Sequence, residues 1–561
     1  MPIYEQFIGR HRDNYATLVD LQKNYKVTYP DTFNFAYDVL DVLAQRSPGK
    51  RCMLWVSNEG DSRDFTFGQM AELSNKAANF FTAQGIRKGD LVMLVLKRGY
   101  EFWYCMMGLH KIGAIAVQAT HLLTAKDYIY RMNAGRIKMV VMTGDGNCTE
   151  HLDEALDQYE TLKIRAVTRG KKVPGWIDFD GEFEKQSTSW SRPTGDADTC
   201  VTDIMTMSFS SGTTGYPKMV LHDFSYPLGH LMTGVFWHRV EDGGLHFTIS
   251  DTGWLKSLWG KMYGQWLGET AIFTYDFEKF QAADILQKIA RFKVTTFCAP
   301  PTMYRFMIKE DFSPYDLSSL KHCTTAGEAL NPEVYSQWLA NTGLKIFEGF
   351  GQTESTLMCS TIFPWIQPRL GSMGLEAPGY SIVIADEDGT ESLSGVTGEI
   401  CIRTDESAGG KPLGLFRGYY RDDAATERQW HDGLYHTGDT AYRDEMGFLW
   451  YVGRTDDVIK SSGYRIGPFE VESALMEHKS VMECAVTGVP DPERGFAVKA
   501  TVVLCKGYVP SDELTRELQN HVKQVTAPYK YPRIIEYVDE LPKTISGKIR
   551  RIEIREKDGM K

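Results

Sequence analysis

The chain is 561 residues long, more than a single hydrophobic core usually holds, so two or more domains are expected. Its composition, 42% hydrophobic and 24% charged, is that of an ordinary globular protein. A formal net charge of −11 and a pI near 5.7 argue against a nucleic-acid partner, yet leave room for a small anion such as ATP held by a few local cations.

From the N-terminus, MPIYEQFIGRHRDNY carries acids and lacks the apolar centre of a secretory signal. Ten cysteines without a C-x-x-C pair suggest neither a zinc ribbon nor a thioredoxin-type site, and fit a reducing compartment. The apolar stretch 103–119 is broken by His110 and Lys111 and falls short of a bilayer span. A cytoplasmic location without stable membrane insertion follows as the expectation. Within 66–85, Met70, Leu73, Ala77, Phe80 and Phe81 recur at helical spacing, and GIRKGD ends the pattern. LVMLVL at 91–96 reads as a buried strand and 100–112 as a helix. AIAVQA, MVVMTG, IMTMSF, LHFTIS, TAIFTY, VTTFCAP and KIFEGF repeat the strand theme, which predicts α/β layers with largely parallel sheets and flanking helices. Near residue 455 the texture changes: VGRTDDVIKSSGYRIGP is polar and glycine-punctuated, as a linker would be. About a hundred residues with a few strands and a helix at 511–526 then suffice for a small α+β domain. The expected domains are 1–455 and 456–561.

The segment SSGTTGYPK follows a strand and has a phosphate loop's composition. Ser210, Ser211, Thr213 and Thr214 offer hydroxyls, Gly212 and Gly215 allow close backbone approach, and Lys218 adds a charge, but the Walker spacing is missing. In TTAGEAL, Gly327, Glu328 and Ala329 form another loop at a strand end. GFGQTES (Gly349, Phe350, Gly351, Gln352, Thr353, Glu354) sets a hydroxyl beside a carboxylate suited to Mg²⁺ near phosphates. In GLYHTGD, Asp439 could accept both hydroxyls of a ribose, and LPKTISGKIRR is a basic, glycine-hinged loop. Each segment alone also reads as a solvated turn, cap or tail.

Together and in this order these motifs resemble the adenylate-forming superfamily of acyl-CoA synthetases, luciferases and peptide-synthetase adenylation domains. SDTGW, SSGYRIGP and VTAPYKYPR look most like the medium-chain acyl-CoA synthetases. The resemblance implies an AMP-forming ligase that activates a small carboxylic acid with ATP and passes the acyl group to CoA, with Mg²⁺ as cofactor. It implies that residues 210–218 cradle the outer phosphates, Thr353 meets the α-phosphate and Glu354 orients Mg²⁺. It places Gly327, Glu328 and Ala329 around adenine, and Asp439 and Arg454 on the ribose. Lys548 would reach in from a mobile C-terminal domain for the first step, and rotation about Asp456 would then present Ser462, Gly463 and Arg465 for the second. Arg494, Lys523 and Tyr531 are its candidates for the CoA nucleotide.

Related acetyl-CoA synthetases carry a tryptophan where this chain has Gly351, which implies an acyl group larger than acetate, of short to medium length, branched or aromatic acids included. Trp237, Trp254 and Trp259 are candidate pocket walls, and Lys256 lies in a stretch, DTGWLKSLWGK, that is more polar than the resemblance leads one to expect. A carrier-loading adenylation enzyme and a non-catalytic ATP-binding homologue are the alternatives. Lys548 and Glu354, which a non-catalytic homologue would be expected to lack, are both present. The oligomeric state is open, a homodimer being one option.

Overall fold

A computed structural model describes residues 1–210, 217–386, 388–405, 410–462, 464–544 and 548–559. Three sheets organise them. The first has seven strands in the order Ile177–Asp178, Ile164–Val167, Met139–Met142, Leu91–Val95, Ile115–Gln118, Ile204–Ser210 and Lys218–Asp223. All its neighbours are parallel except the last pair. Leu91–Val95 is buried at every position, as a central strand covered on both faces must be. The helix Phe67–Ala83 opens with a reciprocal cap between Thr66 and Gln69 and buries Met70, Ala77, Phe80 and Phe81. It packs on Glu101–Ile112, a helix buried all round.

The second sheet has two halves. Ile346–Phe350, His322–Thr325, Thr296–Cys298, Leu245–Thr248, Ala271–Asp276 and Arg51–Ser57 run parallel, as expected. From Ile346–Phe350 the sheet continues antiparallel through Cys359–Ser360, Ser372–Glu376, Leu449–Arg454, Leu434–Arg443, Gly398–Arg403 and Ile382–Ala385. This antiparallel half was not foreseen. Because the parallel strands share one direction, the loops after Thr248, Cys298, Thr325 and Phe350 gather at one edge, where α/β sheets bind ligands.

A third sheet, Tyr464–Ile466, Ile459–Ser461, Gly495–Leu504 and Val481–Asp491, with Ile534–Tyr537 parallel to Gly495–Leu504, belongs to the last hundred residues. The helices Pro468–Met476 and Asp512–Val525 cover it around Val471, Leu475, Leu514, Leu518 and Val522. The segment read as a linker is thus partly a hairpin. Asp456 lies in the turn between Leu449–Arg454 and Ile459–Ser461. Its carbonyl accepts from Arg555 Nη1 at 3.1 Å. No helix is long and apolar enough to cross a membrane among the described residues.

Candidate active site

The strand Lys218–Asp223 is the seam of the site. One edge pairs with Ile204–Ser210, which leads into the phosphate-type loop. The other edge takes segment 417–420: Arg417 N donates to the Leu221 carbonyl at 2.8 Å and Tyr420 N to the Met219 carbonyl at 2.8 Å. That pairing sets the Tyr419 ring beneath Lys218, with Nζ 4.7 Å from its centroid. Two further bonds draw in the GFGQTE loop. Phe416 N donates to the Glu354 carbonyl at 2.7 Å, and His222 Nε2 lies 2.7 Å from the Thr353 carbonyl. Burial lowers the His222 pKa to about 3, so its ring stays neutral and can donate to that carbonyl.

Glu354 is buried, and desolvation raises its pKa while Tyr419, Lys218 and Arg454 oppose the rise. Tyr419 Oη donates to Glu354 Oε1 at 2.9 Å. Among the described residues the second carboxylate oxygen takes no side-chain hydrogen bond, which suits a hard cation. Burial also lowers the Lys218 pKa, with Glu354 pulling it back up. Ser211, Gly212, Thr213, Thr214 and Gly215, all expected in the phosphate cradle, lie outside the described residues. Ser210 closes the strand opposite Lys218.

Asp439 and Arg454 face each other on paired strands, Nη1 to Oδ2 at 3.3 Å. Tyr451 Oη donates to Asp439 Oδ1 at 3.1 Å, and Gln352 Nε2 donates to Oδ2. Tyr435 Oη fixes Gln352 by donating to its Oε1 at 2.7 Å. Burial raises the Asp439 pKa, opposed by Arg454, Gln352, Tyr451 and, from the small domain, Lys548. Lys548 is exposed, and its carbonyl accepts from Thr544 N at 2.7 Å. The fold thus brings Lys548 within electrostatic reach of the large domain's cleft. Gly327 has φ +109, which glycine adopts freely, and Glu328 Oε2 accepts from Thr302 Oγ1 at 2.7 Å. Ala329 is half-buried beside it, as Phe350 is at the end of its strand.

Of the expected pocket residues, Trp237, Trp259 and Lys256 are brought together. Trp237 ends a π-helical turn, Met232–Trp237, and is fully buried. Its ring centroid lies 6.4 Å from that of Trp259, over which Lys256 Nζ sits at 5.4 Å. Lys256 Nζ donates to the Ala326 carbonyl at 3.1 Å. Burial lowers its pKa; Cys298 and Glu328 oppose the shift and Lys548 adds to it. Trp254 is half-buried and makes no ring contact with the other two tryptophans.

The glycine geometry corrects one expectation. A Cβ at Gly351 would meet the Thr356 carbonyl oxygen at 2.3 Å, so this position points into its own loop rather than at the tryptophans. Gly349 is the glycine that faces them: a Cβ there would lie 2.7 Å from Trp237 Cζ2 and 2.6 Å from Leu357 Cδ1.

The expected CoA residues belong to the last hundred residues of the chain. Arg465, on the exposed strand Tyr464–Ile466, lies within electrostatic reach of Asp386 in the large domain. Ser462 N donates to the Arg494 carbonyl at 2.9 Å, and Arg494 Nη1 to Ser462 Oγ at 3.4 Å. Lys523 Nζ lies 4.0 Å and Arg533 Cζ 4.8 Å from the Tyr531 ring centroid. Gly463 is outside the described residues. Sequence reasoning missed Tyr419, Tyr435, Tyr451 and His222, whose role comes only from strand pairing. Their one signal is a polar-tipped side chain at alternate strand positions.

Comparison with known proteins places the chain among its relatives. Residues 40–420 match the AMP-binding enzyme family and residues 470–548 the AMP-binding enzyme C-terminal domain. The chain is 38% identical to the mouse (Mus musculus) acyl-coenzyme A synthetase ACSM3, mitochondrial, over 99% of this chain and 96% of the relative. It is 40% identical to the rat (Rattus norvegicus) ACSM5, mitochondrial, over 94% and 91%. Among solved structures, the anthranilate CoA ligase AuaEII in complex with anthranoyl-AMP superposes with a TM-score of 0.85 at 29% identity, covering 95% of this chain and 98% of that one. A Brucella canis acyl-CoA synthetase gives 0.72 at 31% identity, covering 97% and 99%. The mitochondrial relatives overturn the cytoplasmic expectation. Lack of a secretory signal's apolar centre says nothing about import into other organelles, whose segments are amphipathic.

Proposed function

The chain belongs to the AMP-binding enzyme family, as an AMP-forming acyl-CoA synthetase, and from that premise we propose how its own residues divide the two steps. In the first, a carboxylate oxygen attacks the α-phosphorus of ATP, pyrophosphate leaves, and an acyl-adenylate forms. In the second, the CoA thiol attacks the acyl carbon, AMP leaves with the bonding electrons, and the thiol proton is released. The first step brings one anion onto another, so cations must offset the repulsion.

Lys218, Thr353 and the 210–218 loop hold the phosphates, Asp439 takes the ribose hydroxyls, and Arg454 keeps Asp439 ionised. Glu354 would hold Mg²⁺, which supplies charge neutralisation for the phosphates when bound; its buried carboxylate, of which only Oε1 takes a side-chain hydrogen bond among the described residues, supports this role. Lys548 neutralises the reacting carboxylate and α-phosphate. What supports this assignment is that the fold places Lys548, across the boundary we set at Asp456, within electrostatic range of Asp439 and Lys256. Residues 456–561 then form the mobile lid. Its rotation withdraws Lys548 and presents Ser462, Gly463 and Arg465, with Arg494, Lys523 and Tyr531 on the CoA nucleotide. Arg465 lies within electrostatic reach of Asp386 in the present arrangement, which supports a second orientation for that step.

The acyl pocket is walled by Trp237, Trp259 and Lys256 and takes a short-to-medium acid larger than acetate, branched and aryl acids included. Its aromatic walls and the anthranilate ligase among similar structures support this class. Measuring pyrophosphate release with straight, branched and aromatic acids tests the reading. Acid-dependent pyrophosphate without CoA, and AMP with it, are expected. Consumption of ATP to ADP would overturn it.

A further inference from the structure

Away from the tryptophans, three ligand-bearing side chains converge on one face of the antiparallel half-sheet. Glu399 and Cys401 stand two apart on Gly398–Arg403, so they share a face, and Cys401 pairs directly with His436 on Leu434–Arg443. His436 Nδ1 lies 3.0 Å from Glu399 Oε2 and 3.4 Å from Cys401 Sγ. All three ligand atoms fall within 4.8 Å of one another. The His431 ring stacks on that of His436 with centroids 4.1 Å apart.

Hydrogen bonding through a single Nδ1 cannot serve both of its neighbours. Nδ1 has one in-plane position. If it carries a proton, that proton serves Glu399 and the thiol has no acceptor there. If it carries a lone pair, it accepts from the thiol and faces the carboxylate oxygen with no proton between them. Among the described residues His436 Nε2 is buried without a partner, so nothing on the far side of the ring fixes the tautomer. One divalent ion at the centre satisfies all three groups. In a tetrahedral zinc site a sulfur and a nitrogen lie about 3.6 Å apart, and a nitrogen and an oxygen about 3.4 Å. The observed separations, 3.4 and 3.0 Å, need to open by only a few tenths of an ångström.

We propose that Glu399, Cys401 and His436 form a binding site for a zinc-class divalent transition metal, with water completing four-coordination. The mixed carboxylate, imidazole and thiolate set selects borderline metals over Mg²⁺ or Ca²⁺. Binding exchanges the thiol proton for the metal, so one proton is released from Cys401 to solvent and no redox change occurs. The site touches the nucleotide side through one bond: Glu399 Oε1 accepts from Gly438 N at 2.8 Å, next to Asp439.

The test uses the full chain without an affinity tag, dialysed against chelator and titrated with Co²⁺. Wild type should bind one equivalent with a thiolate-to-cobalt charge-transfer band and tetrahedral visible bands, and an equivalent of Zn²⁺ should displace it. Cys401→Ser should lose the charge-transfer band, and His436→Gln should weaken binding by about tenfold or more, each with an unchanged thermal unfolding midpoint in the absence of metal. No band in wild type, a band that survives Cys401→Ser, or full affinity in His436→Gln would overturn the proposal. The second variant keeps the test decisive if the first does not fold.

Discussion

Tyr419 serves two neighbours at once: its hydroxyl holds Glu354 and its ring lies under Lys218. Tyr419→Phe keeps the ring and removes the donor. Losing a hydrogen bond to a charged group should lower kcat/KM for pyrophosphate release by about tenfold to a hundredfold. With stopped kinetics, the loss should appear more in kcat than in the KM for ATP, since Lys218 is retained. Glu348 gives a second residue-scale expectation. It is buried, accepts from Leu330 N at 3.2 Å, and desolvation raises its pKa from 4.5 to about 8. The folded state therefore holds a proton that the unfolded state has released between those values. Its contribution to stability is complete below about pH 4.5 and is lost as pH rises towards about 8. Glu348→Gln should flatten the unfolding midpoint across that window, as thermal scans at several pH values would show. At this scale the sequence was legible where chemistry is concentrated in a motif: Lys218, Glu354 and Asp439 stand out by type and company. Tyr419 and His222 do not, because each acquires its role from a partner more than a hundred residues away or from a strand pairing that no local pattern encodes.

At the scale of elements, buried strands and amphipathic helices announced themselves. Leu91–Val95 and Phe67–Ala83 fall where apolar runs and helical spacing put them. The antiparallel half did not, because its strands are short or polar: Leu434–Arg443 carries His436, Thr437, Asp439 and Thr440 along its length. The hairpin from Ile459–Ser461 to Tyr464–Ile466 was read as linker for the same reason. The loop after Ile346–Phe350 yields a comparison. Gly349→Ala puts a methyl against Trp237 and Leu357, so it should narrow the pocket and depress kcat/KM most for the longest acids, at a stability cost of about 1–3 kcal/mol. Gly351→Ala instead strains the Thr356 carbonyl and should impair all acids alike. A panel of straight-chain acids separates the two; equal chain-length profiles would mean the pocket lies elsewhere.

For the whole molecule, two of the polar contacts by which the small domain meets the large one can be named. Arg305 Nη1 lies 3.0 Å from Met476 Sδ, and Asn331 Nδ2 donates to the Ser473 carbonyl at 3.4 Å. Both are weak bonds, which suits the rotation proposed above. Lys548→Ala should lower adenylate formation by about a hundredfold or more while sparing CoA transfer from supplied acyl-adenylate. Measuring the half-reactions separately checks this, and equal loss in both would exclude rotation. The order of motifs made the two-domain plan readable; the orientation of the lid was not, since it depends on contacts between surfaces far apart in sequence.

One strand deserves a last consequence. Leu434–Arg443 sets Tyr435 towards Gln352 and His436 towards the thiol by the alternation of its pleat, and an irregular stretch between His436 and Thr440, with Gly438 at φ +69, brings Asp439 to Arg454. A single residue inserted or deleted near its start would exchange the sides of Tyr435 and His436, turning the imidazole towards Gln352 and the phenol towards sulfur. The strand can therefore change its letters one by one, but its phase is fixed by two tenants who never meet.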